Sequence, residues 1–341
     1  MSSPKSPTPE PARAAGAAPI EADPAAAEDD GYETDFSGSA ASTSISSSVR
    51  DYVFENNRRY HKFREGRYLL PNDDAEQERE DMKHTVCVTV CDGKLHFAPL
   101  DNPHKILDIG TGTGIWAIDS TSFMADEYPS AEVIGIDLSP IQPGWVPPNV
   151  RFLVDDAESD WNHGSQRFDY IHARHICMAI KDWPRLLSQA YDALKPGGWV
   201  ELQELRLSTL CDDSTMPPDY GFTVFLQNLR AGFSKFGVDL LGMENNAQLL
   251  RDAGFVNVQE KVWKVPIGPW ARDPKLKTVG IYNRAVVADA TSGVAMAPFT
   301  RGLGWTAEKV LEFSRHVKRD LWNVNVHSYY TFHAVFGQRT K

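Results

Sequence analysis

The stretch ILDIGTGTGIWA, residues 106–117, holds two overlapping glycine spacings. From Gly112, GTGIWA has the spacing GxGxxG/A; from Asp108, DIGTGTG has the spacing DxGxGxG. Both describe one local object: a short apolar strand that ends in glycines, followed by a helix whose first N–H groups lack partners within it. The first spacing serves an anionic pyrophosphate seated on the helix start. The second, with Asp108 two residues ahead of Gly110, suits a ligand that carries positive charge. The loop alone does not choose between them.

Outward from the loop, the hydrophobic period switches repeatedly. GIWAIDSTSFMADEY reads as a helix, while AEVIGIDL, NVRFLVDD and FDYIHAR read as strands. DWPRLLSQAYDAL reads as a helix with Asp182 as N-cap and Pro184 in its first turn, and KPGG turns the chain into a further strand, WVELQELRL. This alternation implies an α/β, Rossmann-like core: a parallel sheet wound on both faces by right-handed crossovers. Upstream, NDDAEQEREDMKHTVCVTV reads as a helix capped by Asn72 or an adjacent Asp. Beyond residue 207 an aromatic-rich helix, the helix NNAQLLRDAGF and the alternating strand VNVQEKVWKVPIG are expected. A helical excursion over about 270–326 and a closing strand, SYYTFHAVFGQRT, follow.

Two cofactors remain: a nicotinamide dinucleotide and S-adenosylmethionine, which has no phosphate but carries a sulfonium and an ammonium. Asp137, ending the next strand in VIGIDLSP, can accept from both hydroxyls of a ribose, which both ligands have. The third strand decides. RFLVDDAESDW sets Asp155 and Asp156 at a strand end where an adenine amino group would lie. It resembles the adenine-contacting motif of class I S-adenosylmethionine-dependent methyltransferases, and FDYIHA, YDALKPGGWVEL and LLRDAGFVNV fall in that family's order. More narrowly, residues 50–341 resemble the LaeA-like methyltransferases of fungi. The stretches that carry this are YVFENNRRYHKFREGRYLLPNDDAEQERE, GKLHFAPL, LDIGTGTGIWAID, IGIDLSPIQPGWVPPNVRFLVDDAESDW and LKPGGWVELQE.

The resemblance implies a class I fold, with a seven-stranded, mostly parallel sheet, an antiparallel last strand and helical cap insertions. It also implies S-adenosyl-L-methionine as cofactor. Asp108, Gly110, Thr111, Gly112 and Gly114 would surround the methionine part, Asp137 with Leu138 the ribose, and Asp156 with the N–H of Ala157 the adenine. Arg174 and Tyr68 complete the expected cofactor contacts. The family holds both small-molecule methyltransferases of secondary metabolism and a nuclear regulator of that metabolism, so two roles stay open. A third, an NAD-dependent oxidoreductase, keeps the formal glycine match but finds no catalytic constellation.

Composition narrows the partners. The chain has 341 residues and a formal net charge of −11. Residues 1–50 hold eight acids and three bases, which leaves 38 acids and 32 bases on the remainder. Nucleic-acid binders present basic stripes that release counterions, so nucleic acid is not an expected partner. No leader pattern and no apolar run approaching the roughly 20 residues of a membrane span occurs, and an intracellular protein is expected, cytoplasmic or nuclear. The proline-, alanine- and serine-rich residues 1–48 read as a disordered tail. Residues 49–341 then form the catalytic domain: a helical lid over 49–104, a cofactor core over 105–207 and acceptor-side insertions over 208–341. Cys87, Cys91, Cys177 and Cys211 make no metal-binding pattern, and no metal is expected.

Methyl transfer from a sulfonium is an in-line displacement, to which positioning can contribute roughly 7–11 kcal/mol. An alcohol acceptor also gains from a base, worth roughly 10² to 10⁴ in rate. The carboxyl ends of the fourth and fifth core strands face the reacting methyl. His172, Arg174 and His175 follow the fourth; Glu201, Gln203 and Glu204 belong to the fifth. His175 is the expected base, with a hydrogen-bonded loop histidine as the plainer alternative. Tyr60, His61, Arg64 and Tyr68 suggest a lid, or else a helix covering the sheet edge. Phe222, Phe225, Phe233, Phe236, Trp263, Trp270 and Tyr282 are candidates for an apolar acceptor pocket, although aromatics at helical or strand spacing usually belong to the core, and most of these are read so.

Overall fold

A computed structural model of the chain describes residues 18–26, 52–56, 58–64, 66, 68–118, 124–161 and 165–341, apart from the side chain of Met243. The aromatic and basic stretch ahead of the core is a hairpin, not a helix: β1 (Tyr52–Glu55) pairs antiparallel with β2 (Arg58–His61). Alternating bulky and basic residues suit the two faces of a strand better than one stripe of a helix. Arg58 then grips Asp73 through two N–H groups at 2.5 and 2.9 Å. Asp73 caps α1 (Asp74–Val90) by accepting from the Glu76 N–H.

The core follows the expected alternation. β3 (Lys105–Ile109) leads into the glycine loop and α2 (Ile115–Ile118); α3 (Met124–Glu127) follows, with residues 119–123 outside the described set. The single helix expected there is therefore described only as two short turns. β4 (Glu132–Asp137), β5 (Val150–Val154) and β6 (Phe168–Arg174) come next. α4 (Trp183–Ala193) has Asp182 as its N-cap, accepting from the Arg185 N–H, and a proline in its first turn. β7 (Leu194–Leu210) is longer than WVELQELRL because the KPGG segment already lies in the strand, with an irregular register against β6.

The remaining elements are α5 (Gly221–Ser234), α6 (Asn246–Asp252), β8 (Val256–Pro266), α7 (Pro274–Ala297), α8 (Ala307–Leu321) and β9 (Tyr329–Gln338). The seven-stranded sheet runs β5-β4-β3-β6-β7-β9-β8. β3 to β7 are parallel, and β9 lies antiparallel between β7 and β8. This is the expected fold. The chain leaves β3 toward β4 on one side and returns to β6 on the other, so a crevice opens beyond the carboxyl ends of β3 and β6.

α5, α7 and α8 pack with α1 over the antiparallel half of the sheet, around buried Phe225, Leu229, Phe233, Phe299 and Phe332. A separate apolar cluster under α4 and α6 fills the other face. Within the stretch read as a disordered tail, residues 18–26 lie against this body. Ala22 bridges Ala271, the Asp23 N–H donates to the Trp270 carbonyl at 2.7 Å, and Arg272 donates to the Glu21 carbonyl at 2.8 Å. A strand-like edge at Trp270–Arg272 offers backbone partners that composition cannot reveal. Residues 1–17 and 27–48 lie outside the described set.

Candidate functional site

The glycine loop is held from behind. Asp108, buried at the end of β3, engages both carboxylate oxygens: Oδ2 accepts from the Thr111 hydroxyl at 2.6 Å, and Oδ1 meets His172 Nδ1 at 2.8 Å. His172 in turn stacks on Trp116 at 3.9 Å. The strand register puts Asp108 beside His172, because β3 and β6 are parallel neighbours. Gly110 has φ +67°, and a Cβ there would meet Ile176 Cγ2 at 2.5 Å; only glycine combines that conformation with that closeness. The Gln142 amide donates to the Gly112 carbonyl at 2.6 Å, so the proline-rich segment after β4 braces the loop.

In front of the loop lies an open cavity. Gly110, Gly112, Asp137, Leu138, Asp156, Ala157, Arg174, His175 and Tyr68, all expected at the site, line it. Asp108, Thr111 and Gly114 do not. The first two face a smaller cavity behind the loop, and Gly114 lies against the Phe152 ring. Asp108 therefore shapes the loop from within the sheet.

Asp137 accepts from the N–H groups of Gly112 at 2.9 Å and Ser139 at 2.8 Å. Burial nevertheless raises its pKa above the usual aspartate value. Asp156 accepts from the Glu158 N–H and the Ser159 hydroxyl, which pins the turn after β5 at the rim.

Among the described residues, six carboxylates, those of Glu76, Glu80, Asp137, Asp155, Asp156 and Glu158, line this cavity against one guanidinium, Arg174. A wall so weighted suits a ligand with a sulfonium and an ammonium and opposes a pyrophosphate. Glu76 and Glu80 come from α1, which turns its charges inward: Arg79 bonds Glu76 and Glu80, and Lys83 bonds Glu80. Burial raises the Glu80 pKa, but Lys83 and Arg79 outweigh it and hold the carboxyl below its ordinary range. The sequence reading missed this face. Its signal was present, since Glu76, Glu80, Lys83 and Cys87 recur at the spacing of one helix side.

A second cavity adjoins the first; Tyr68, Glu80 and His175 belong to both walls. It is largely apolar, lined by Phe222, Phe225, Leu226 and Leu229 of α5 and by Val286, Val287, Ala290 and Val294 of α7. Of the seven candidate aromatics, Phe222 and Phe225 line it. Phe233 is in the core and Phe236 packs against it, Trp263 packs on Phe97 and Phe332, Trp270 stacks on His327, and Tyr282 is exposed. Aliphatic residues of α5 and α7 take their place.

His175 sits where β6 ends, at φ +58°, with its N–H donated to the Gln203 carbonyl at 3.0 Å. Its Nε2 is 3.3 Å from the Cys87 Sγ. Burial, then the charges of Lys83 and Arg174, push its pKa well below the usual histidine value.

Comparison with known proteins gives the family of the chain. The methyltransferase-domain family matches residues 79–260. The chain is 40% identical over 299 residues to the methyltransferase pytC of Aspergillus terreus, covering 87% of this chain and 91% of that one. It is 39% identical over 292 residues to the secondary metabolism regulator LAE1 of Cochliobolus heterostrophus, covering 84% and 94%. Among solved structures, a phosphoethanolamine N-methyltransferase 2 of Haemonchus contortus aligns with a TM-score of 0.43 at 17% identity, over 76% of this chain and 53% of that one. The chain belongs to the methyltransferase-domain family and is an S-adenosylmethionine-dependent methyltransferase. It is similar over most of its length to the LaeA-like and pytC-like methyltransferases of fungal secondary metabolism.

Proposed function

We propose that the acid-lined cavity holds S-adenosylmethionine and that the apolar cavity takes a small-molecule acceptor, methylated on an oxygen or nitrogen. The observation that carries this reading is the shared wall: Tyr68, Glu80 and His175 face both spaces, so two ligands would meet there. Gly110 and Gly112 would lie along the methionine part, with Glu80 opposite the ammonium and Arg174 opposite the carboxylate. Asp137 and Leu138 would hold the ribose. Asp156 and the Ala157 N–H would hold the adenine. When bound, the cofactor supplies an electrophilic methyl on a sulfonium; the protein orients the acceptor and excludes water.

The hairpin end and the segment after it would close the site. Arg64 reaches Asp156 at 3.8 Å and the Ser159 hydroxyl at 3.3 Å, and Asn72 reaches Ser139, which supports the lid reading. Calorimetry with S-adenosylhomocysteine, then incubation of the purified protein with labelled methyl donor and extracts of its source, tests the proposal. Micromolar heats and a labelled small molecule are expected. No heats at all would refute the cofactor placement.

A second reading is a nuclear regulatory role within a protein complex, favoured by the 39% identity to LAE1. It predicts nuclear rather than cytoplasmic fluorescence of a tagged chain, and label on protein instead of metabolite. No helix among the described residues is long and apolar enough to cross a membrane.

A further inference from the structure

Glu204 lies on β7 one residue beyond Gln203, whose parallel partner Arg174 is the last residue of β6. With β6 ended, the backbone of the following loop has free donors, and Glu204 Oε1 accepts two of them, from Ile176 at 2.8 Å and Cys177 at 3.1 Å. The other oxygen, Oε2, is buried and accepts from no N–H or O–H group; the carboxyl's further polar neighbour is the Cys177 thiol, a weak donor. The residue is 2% exposed, yet it lines the apolar cavity. A buried carboxylate oxygen without an N–H or O–H donor is costly in a folded protein and marks a place where a ligand can supply one.

Resting on the reading of this cavity as the acceptor site, we propose that Glu204 is the residue that grips the acceptor's reacting group. The acceptor would be an apolar, ring-sized molecule presenting one hydroxyl or protonated amine to Oε2. For a hydroxyl, its proton passes to Oε2 while the oxygen's freed pair forms the bond to the methyl carbon; the breaking C–S bond leaves its pair on sulfur. The proton then leaves Glu204 for solvent.

Glu204 suits this better than His175, whose Nε2 is already turned to Cys87. The charged and titratable groups around it among the described residues are Tyr68 ahead of α1, Arg79, Glu80, Lys83 and Cys87 of α1, His175 and Cys177 of the loop after β6, and Tyr330 of β9. α5 and α7 present only apolar side chains to this cavity. Burial raises the Glu204 pKa to about 7, against the pull of the Ile176 N–H, the Cys177 thiol and Lys83. That places the carboxyl where it can exchange a proton near neutrality.

The test uses the full chain saturated with S-adenosylhomocysteine, with 2-naphthol and 2-methoxynaphthalene as probes of matched size. Binding of S-adenosylhomocysteine is checked first, so a failure of the cofactor reading is seen separately. The wild type is expected to bind the naphthol on the order of tenfold more tightly than its methyl ether, since only the naphthol donates to Oε2. Glu204→Gln should lose most of that preference while keeping affinity for the ether. In infrared difference spectra, a protonated-carboxyl band titrating near neutral pH should vanish in Glu204→Gln and shift in the wild type when naphthol binds.

Equal affinity of the wild type for both probes would overturn the proposal. So would a preference that survives in a folded Glu204→Gln, or a carboxyl band unmoved by the naphthol. If Glu204→Gln does not fold, the wild-type preference and the band shift decide alone.

Discussion

The two cavities are built by different rules. The cofactor side hangs on strand ends and one loop: Gly110, Asp137, Asp156 and Ala157 stand close to the carboxyl ends of β3, β4 and β5. The acceptor side is assembled from elements distant in the chain, α1, β7, α5, α7 and β9, with the loop after β6. Polar groups facing the first are already engaged by backbone donors, as at Asp137 and Asp156. The second contains Glu204 Oε2, which accepts from no N–H or O–H group. A cofactor common to many reactions can be held by a fixed frame, whereas acceptor choice can change with the helices laid over it.

The sharpest break in this comparison should come from behind the loop. Asp108→Ala leaves the Thr111 hydroxyl and His172 Nδ1 buried without their partner, and we expect a loss of about 3–5 kcal/mol in urea unfolding. Cofactor-product binding should fall with it. Leu229→Ala, in the wall of the acceptor cavity, should cost about 2–5 kcal/mol of stability. Its affinity for S-adenosylhomocysteine in calorimetry should stay within about twofold, because the cofactor frame does not include α5; a large drop would show that the two sides are coupled.

The pH dependence sharpens the contrast further. Glu204 is raised from 4.5 to about 7 in the folded protein, so between those values the folded state binds more protons than the unfolded one. Stability contributed by the protonated form is complete below about pH 4.5 and is lost as pH rises through 7. Wild type should therefore lose stability relative to Glu204→Gln across that window, by about 3 kcal/mol in total, with a flat difference above it. Urea midpoints of both proteins from pH 5 to 8 measure this.

Smaller effects should follow at the cofactor rim. Asp137→Asn should weaken S-adenosylhomocysteine about tenfold, the difference between a charged and a neutral acceptor of hydroxyl hydrogen bonds. Arg64→Ala removes a half-exposed ion pair at 3.8 Å from Asp156 and should change stability by less than about 1 kcal/mol. Its effect should appear instead as faster release of the bound product in stopped-flow if the hairpin segment closes the site.

Legibility divides along the same line as the two cavities. Asp182 as a helix cap, the strand KILDI and the acids closing β4 and β5 could be read because each acts on neighbours in sequence. The hairpin was misread as lid helix or edge helix, since alternating aromatics and bases over four-residue strands give too short a pattern to fix a period. Asp108 was expected at the ligand; the register of β3 against β6, which sets it beside His172, was not legible. α1 was read for its cap and not for its inward face, because a charged helix side is ordinarily solvated.

By itself the sequence determined the alternating α/β core and the loop, and its resemblance to a known family implied the kind of cofactor. The core and loop rest on local periodicity, on glycine conformations and on acids placed at strand ends. Only the tertiary structure decided where α1 turns its charges, which aliphatic residues replace the candidate aromatics, and that one Glu204 oxygen accepts from no N–H or O–H group. These depend on which distant elements meet, and burial, the quantity that sets the chemistry of a carboxylate, exists only after they have met.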